Sequence, residues 1–390
     1  MPQRAQRIAT VPPYLFAEID KKKAAVIARG VDVISLGIGD PDMPTPQFVV
    51  ERMKEAVANP KWHQYPDYDG SLAFRTAACQ FYKKRFGHEF DPKSEALALI
   101  GSKEGLAHII WAYIDQGDIA LVPDPAYPVY KTHTLLAGGE PYLMPLTKEN
   151  SFLPDLKAIP EDVARKAKLL FINYPNNPTG AVATIEFYQE AVAFCRKYDI
   201  LLVSDNAYSE MTYDGYKAPS IFDVEGAKDV AVEFWSLSKP FNMTGWRIAF
   251  VVGNKDAVGA LGIIKTNTDS GQYTAIQEAA IEALTNPAAD EFIAEMNAIY
   301  LRRRDIAVEG LRKIGLKAEP MKGSFYLWVP VPEGHTSASF ATLLLEEAGV
   351  VVTPGGAYGK AGEGYVRLSL CLKEDRLQEA MERIAKHVKV

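Results

Sequence analysis

Ser236-Leu237-Ser238-Lys239-Pro240-Phe241-Asn242-Met243-Thr244-Gly245-Trp246-Arg247 is the most informative stretch of this chain. It follows an apolar run that opens at Val232, and it crowds two hydroxyls, a lysine and an arginine into one loop. Ser236, Ser238 and Arg247 can grip a phosphate dianion, the guanidinium through paired hydrogen bonds. Lys239, between them, is then placed to form a Schiff base with a phosphorylated aldehyde. A polar surface turn explains the same residues, so the loop alone does not choose.

Working outward, short apolar runs alternate with helices. Ala96–Ile100, Ile119–Val122, Glu140–Leu146, Lys168–Asn173, Ile200–Ser204, Val232–Ser236 and Ile248–Val252 read as strands, and Thr184–Tyr198 as an amphipathic helix. This rhythm predicts an α/β fold with a mostly parallel sheet covered by helices. After about Gly271 the pattern changes. Pro287 to about Gly315 predicts one long helix of about 40 Å. Strands at Ser324–Val329, Val350–Thr353 and Tyr365–Leu370, with helices at Thr336–Glu347 and Lys373–Lys386, predict a smaller α+β unit. The division expected is an arm at 1–30, a large domain at 31–280 and a small domain at 281–390. Residues 31–45 would lead in from the small domain.

The 390 residues carry 43 basic and 49 acidic side chains, and 48% of them are hydrophobic. Disordered, collagen-like and coiled-coil chains are excluded by that balance. The net charge of −6 and the lack of a basic tract argue against a nucleic-acid partner. Lys21-Lys22-Lys23, the longest basic run, reads as a solvated helix face. No apolar run is long enough for a membrane span, and no signal peptide is expected, because no apolar stretch follows Met1-Pro2-Gln3-Arg4-Ala5-Gln6-Arg7. Cys79, Cys195 and Cys371 read as buried thiols in a reducing compartment, so a cytoplasmic location is expected.

Other segments can bear chemistry. Asp205 ends the run Ile200-Leu201-Leu202-Val203-Ser204, where α/β sheets place ligand-binding groups. Its carboxylate could pair with a protonated pyridine nitrogen, and Tyr208 could donate to a phenolate oxygen; a helix N-cap is the plainer role. Asn176-Asn177-Pro178-Thr179-Gly180 follows another strand and is either a ligand-facing amide or an ordinary turn. Gly101-Ser102-Lys103 leads into a helix whose first amides suit phosphate, although serine is also a common cap. Tyr127 could stack on a planar ring or sit in the core. Arg367, in an alternating strand, could face solvent or fork onto a carboxylate.

Several motifs fail. Ser236-x-x-Lys239 and Ser204-Asp205-Asn206 match two elements of penicillin-binding serine hydrolases, but in reverse order. The third, K-T-G, is missing: Lys131-Thr132 is followed by His133, and Lys265-Thr266 by Asn267. Gly355-Gly356-Ala357-Tyr358-Gly359 and Gly37-Ile38-Gly39-Asp40 lack nucleotide-loop spacing. No H-E-x-x-H occurs, and six scattered histidines predict no metal site.

Taken together, Asn177, Asp205, Tyr208, Lys239, Arg247 and Arg367, with Asn-Pro-Thr-Gly and Ser-x-Ser-Lys, resemble the fold-type-I pyridoxal-phosphate aminotransferases along nearly the whole chain. The resemblance implies pyridoxal 5'-phosphate as cofactor, amino acids and 2-oxo acids as substrates, and a homodimer with shared active sites. Lys239 would be the Schiff-base lysine and proton-transfer base, and Asp205 would hold the ring nitrogen protonated. Tyr208 and Asn177 would bind the ring oxygen, and Tyr127 would stack on the ring. Ser102, Lys103, Ser236, Ser238 and Arg247 would hold the phosphate, and Tyr65 would reach the neighbouring subunit's phosphate. Arg367 would clamp the substrate α-carboxylate, with Lys103, Tyr127 and Asn177 also facing substrate.

A closer resemblance rests on Pro13-Tyr14-Leu15-Phe16-Ala17-Glu18-Ile19, Leu36-Gly37-Ile38-Gly39-Asp40-Pro41-Asp42, Gly101-Ser102-Lys103-Glu104-Gly105 and Asn206-Ala207-Tyr208-Ser209-Glu210. These are similar to the bacterial LL-diaminopimelate aminotransferases, which act in lysine biosynthesis with 2-oxoglutarate and glutamate as the other pair. Tyr14 and Gly39 would then touch substrate. One departure stands out: the plant-type branch has a glutamate two residues before the glycine that here is Gly70, and this chain has Tyr68 there, between Asp67 and Asp69. A broad alanine/aspartate-type aminotransferase or a C–S lyase is the alternative.

Overall fold

A computed structural model describes residues 1–11 and 15–387, and of residues 15–20 the backbone alone. Its strands are β1 (Ile34–Ser35), β2 (Ala96–Leu99), β3 (Ile119–Asp124), β4 (Glu140–Pro145), β5 (Ala167–Ile172), β6 (Leu201–Asp205), β7 (Ala231–Ser236), β8 (Ala249–Gly253), β9 (Tyr326–Pro330), β10 (Val350–Val351), β11 (Thr353–Pro354) and β12 (Tyr365–Ser369). Seven of them form the central sheet in the order β2-β8-β7-β6-β5-β3-β4. β8 runs antiparallel to both β2 and β7, and the other pairings are parallel. The expected α/β sheet is thus present. β2, β6, β7 and β8 are buried at every position, as continuous apolar runs require when helices cover both faces.

Local signals set the helix ends. Thr184 caps Ile185–Tyr198 by accepting the Phe187 amide, and Ser71 caps Leu72–Phe86 by accepting that of Phe74. Gly87 ends the latter helix at a φ of 82°. The long helix predicted from the sequence runs from Ala289 to Lys313. Its first turns, Ala289 and Ile293, pack into the core around the central sheet. Met296, Tyr300 and Leu311 pack instead into a second core with Leu327, Leu344, Leu368 and Leu377. One helix therefore bridges two hydrophobic centres.

The second core is built on the antiparallel sheet β11-β12-β9 and the parallel pair β1-β10. The single strand expected at Val350–Thr353 is two strands in the structure. It divides at Val352, so that Val350–Val351 pair with Ile34–Ser35 while Thr353 pairs with Arg367. The division is forced by two different partners lying on either side of one buried residue. Cys371 also departs from expectation: Cys79 and Cys195 are buried, but Cys371 is only half-buried. Among the described residues all three thiols are free, and no helix is long and apolar enough to cross a membrane. In the basic run, Lys22 is exposed and reaches the Thr342 hydroxyl at 3.0 Å.

Residues 36–42 cross from the second core toward the central sheet and are held at both ends. The Ser369 amide donates to the Leu36 carbonyl at 2.7 Å, and Arg303 clamps both oxygens of Asp42 at 2.6 and 2.9 Å. This strap roofs the cleft described next.

Candidate active site

The strand order reverses between β3 and β5. In open α/β sheets the crevice outside the carboxyl ends of the strands at such a point is where ligands bind. A cavity of about 370 Å³ opens there, within the usual range for a small-ligand pocket. Tyr127 follows β3, Asn173 and Asn177 follow β5, Asp205 ends β6, Ser236 ends β7, and Ser238, Lys239, Thr244 and Arg247 lie on the loop beyond. Ser102 and Lys103 open the helix Ser102–Tyr113 at the same place. Gly39 and Arg367 reach it from the second core.

Thus, within one chain, every predicted site residue except two meets in this cleft. Tyr65 does not: it is 86% exposed, in an open groove with Ser270, Gly271 and Tyr273. Tyr14 lies outside the described residues.

The phosphate end is shaped by close approach. Gly101 holds a φ of 77°, and a Cβ there would lie 2.2 Å from Arg247 Nη2. Only glycine fits both demands. The Ser102 hydroxyl is buried and has no protein partner. Arg247 Nη1 donates to the Thr244 carbonyl at 2.8 Å, and the Ser238 amide to Ser236 Oγ at 3.2 Å. Burial, then the nearby Arg247 cation, lowers the Lys103 pKa.

In the middle of the cleft, Asp205 Oδ2 accepts from the Tyr130 hydroxyl at 2.7 Å, while Oδ1 has no hydrogen-bond partner. Burial lifts this carboxyl to about 6; the Tyr130 hydroxyl and the Ala207 amide hold it from rising further. A buried carboxylate with one oxygen tethered and the other open can pair with a cationic ring nitrogen. The Asp205 carbonyl accepts from Asn173 Nδ2 at 2.7 Å, and Asn173 Oδ1 accepts from the Asn177 amide at 2.9 Å. One asparagine therefore ties two site residues together.

Lys239 Nζ donates to the Gly39 carbonyl at 2.9 Å. Burial lowers its pKa, which raises the neutral, nucleophilic fraction of the amine. Arg367 is fully enclosed. Its Nη1 donates to Asn177 Oδ1 at 2.9 Å, its Nη2 to the Gly37 carbonyl at 2.6 Å, and its Nε is left without a partner. The guanidinium lies 4.1 Å from the Tyr326 ring centre and 4.9 Å from that of Tyr358. The Tyr326 hydroxyl stands 3.4 Å from that of Tyr208.

Tyr130, Asn173, Tyr326 and Tyr358 were not singled out in the sequence. Tyr130 lies three residues beyond Tyr127 at the head of a helix, and that spacing is its one local signal. The other three read as ordinary strand or loop residues.

The aminotransferase class I and II family matches residues 31–384, and the chain belongs to that family. It is 57% identical over 382 residues to the LL-diaminopimelate aminotransferase of Moorella thermoacetica, across 98% of this chain and 97% of that one. It is 54% identical over 380 residues to the LL-diaminopimelate aminotransferase of Aquifex aeolicus, across 97% and 98%. Substrate-bound BacF from Bacillus subtilis superposes with a TM-score of 0.95 at 39% identity, covering 99% of this chain and 98% of that one. A single mutant of Thermus thermophilus aspartate aminotransferase superposes at 0.93 with 31% identity, covering 99% and 100%. The chain is an aminotransferase that works with pyridoxal 5'-phosphate.

The cleft suits that cofactor. It offers a buried hydroxyl without a partner at the Gly101 cradle, an open carboxylate oxygen in the middle and a lysine amine between them. Those are the needs of a phosphate, a basic ring nitrogen and an aldehyde. Among the described residues Glu104, His108 and Asp269 lie close enough to hold a metal ion. The buried Lys265 ammonium, however, sits 3.0 Å from Asp269 and 3.5 Å from Glu104.

Proposed function

We propose that this enzyme transaminates LL-diaminopimelate, with 2-oxoglutarate and glutamate as the other pair, in lysine biosynthesis. The observation that carries this is identity of 53–57% with several LL-diaminopimelate aminotransferases along almost the whole chain. The enzyme acts as a cytoplasmic homodimer with composite sites. Tyr65 supports this: it is an exposed aromatic with no job in its own cleft. A monomer still active at nanomolar concentration by sedimentation and assay would contradict it.

Bound in the cleft, the cofactor supplies an electron-withdrawing ring and an aldehyde that carries the amino group. The remaining roles belong to the chain. Ser102, Lys103, Ser236, Ser238 and Arg247 hold the phosphate, joined by Tyr65 of the partner subunit. Tyr127 covers the ring face, and Tyr208 and Asn177 hydrogen-bond its oxygen. Asp205 keeps the ring nitrogen protonated through its open Oδ1. Arg367 receives the substrate α-carboxylate on a guanidinium already oriented by Asn177, Gly37 and two tyrosine rings. Lys239 takes the proton from the substrate Cα, and its lowered pKa suits that task. Gly39 and Tyr14 contact substrate.

Arg367 serves any α-amino acid and cannot itself select diaminopimelate. Its distal ammonium and carboxylate need their own partners. Tyr14 and the Asp67–Asp69 segment of the partner subunit supply the groups. A site built to pair a buried polar end rejects analogues that lack it. The test is kcat/KM across a panel of amino donors. LL-diaminopimelate should exceed lysine, alanine and aspartate by at least ~100-fold. Equal use of aspartate or alanine would replace the narrow assignment with a broad aminotransferase.

A further inference from the structure

Two buried glutamines have no part in the chemistry above. Gln277 is fully buried on the helix Thr274–Thr285, and Gln272 is nearly so, just before it. Both ends of Gln277 are engaged. Its Oε1 accepts the Ser71 amide at 2.7 Å, and its Nε2 donates to the Gln272 carbonyl at 2.5 Å. Gln272 Nε2 in turn donates to the carbonyls of Arg247 and Trp246, the latter at 3.3 Å, while its Oε1 accepts the Tyr273 amide at 3.0 Å. Arg247 sits at a φ of 54°, a left-handed conformation unusual outside glycine, so its backbone needs external support.

The same segment grips the Tyr65 loop a second time. Gly271 lies so close that a Cβ would stand 2.8 Å from the Asp67 carbonyl and 3.2 Å from Pro66. It also grips the phosphate end a second time. Gly271 donates its amide to Asp269 at 2.8 Å, Asp269 pairs with Lys265 at 3.0 Å, and Lys265 lies 3.5 Å from Glu104. Glu104 accepts the Ile100 amide at 2.8 Å, on the turn that presents Ser102.

We propose that residues 269–277 are a bridge between the Arg247 cradle and the loop that presents Tyr65, with Gln272 and Gln277 as its positioning residues. This rests on the composite dimer proposed above. In that dimer each subunit's phosphate site is joined through the bridge to the tyrosine it extends to its partner, so the two phosphate sites are linked.

The test is a set of dissociation constants for pyridoxal 5'-phosphate and for pyridoxal, which lacks the phosphate. They are measured by fluorescence titration of the full-length protein after removal of its cofactor. Gln277→Met and Gln272→Met keep chain length without the amide, and circular dichroism and sedimentation check fold and assembly. Each should weaken pyridoxal 5'-phosphate about tenfold, the loss expected when buried hydrogen bonds are broken, and leave pyridoxal within about twofold. Tyr65→Phe should also weaken pyridoxal 5'-phosphate, and the double variant Tyr65→Phe/Gln277→Met should lose less than the product of the single effects. Glutamine variants that bind both compounds like wild type, or weaken both equally, would overturn the bridge. Effects that multiply without interaction would overturn the linkage between sites. If Tyr65→Phe alone changes nothing, the composite site fails, whatever the glutamines do.

Discussion

Replacing Asp205 by asparagine should make the cofactor-free enzyme more stable and the complete enzyme nearly inactive. The carboxyl titrates at about 6 in the fold against an ordinary 3.8. At about 1.36 kcal/mol per pH unit, holding it ionised costs the fold about 3 kcal/mol. The sign follows from proton counts. Between about pH 4 and 6 the folded state keeps a proton that the unfolded chain has lost. Its stability therefore falls as pH rises through that window and levels off above about pH 7. An amide carries no charge to desolvate. It keeps an oxygen facing Tyr130, but a neutral oxygen accepts less strongly from Tyr130 and Ala207 than a carboxylate does, which takes back about 1 kcal/mol. The net gain expected is about 2 kcal/mol at pH 8, vanishing near pH 4.5. Urea unfolding of both cofactor-free proteins at several pH values measures it. Transamination should fall by orders of magnitude, because a neutral amide cannot hold a protonated ring nitrogen. The reasoning fails if the variant is no more stable at pH 8, if its advantage is the same at pH 4.5, or if turnover is unchanged.

Three further outcomes follow from the cleft. Lys239→Ala should abolish transamination and the borohydride-sensitive absorbance above 400 nm, since no other lysine sits between the phosphate-binding hydroxyls; residual turnover within tenfold of wild type would refute its role. Gly39→Ala should raise substrate KM about tenfold or more while cofactor affinity holds, because the new Cβ would stand 1.9 Å from the Tyr326 hydroxyl, on a ring wedged against Arg367, and overpacking of this kind costs about 1–3 kcal/mol; an unchanged KM would show that Tyr326 yields freely. Replacing Asp67 and Asp69 together by asparagine should erode the preference for LL-diaminopimelate over aspartate more than it erodes cofactor binding, read as a ratio of kcat/KM values.

The central sheet was legible because its signal is local. All of its strands but β4, which opens on Glu140 and is exposed at both ends, are short and mainly apolar runs, and each boundary fell within a residue or two of the structure. The Val350–Thr353 strand misled because all four residues are β-branched strand formers, and strand propensity does not say which partner a strand takes. Two residues pair with β1, more than 300 positions earlier, and Thr353 pairs with β12. Nothing within those four residues encodes that division. The half-buried Cys371 has the same origin, since its burial depends on neighbours such as Tyr300, 71 positions away.

The site divides along a similar line. Residues with a distinctive neighbourhood, such as Lys239 in its hydroxyl-rich loop or Asn177 before Pro178, can be found from motifs. The groups that tune them cannot. Tyr130 reaches Asp205 across 75 positions, and Gln277 reaches Ser71 across 206. Both lie in helices where an aromatic or an amide passes for an ordinary core or surface residue. Yet Tyr130 matters to the chemistry. A carboxyl buried this deeply would drift further toward its neutral form without a donor, and a neutral acid cannot hold a protonated ring nitrogen. The motif supplies the carboxylate, while the fold brings the hydroxyl that keeps it ionisable.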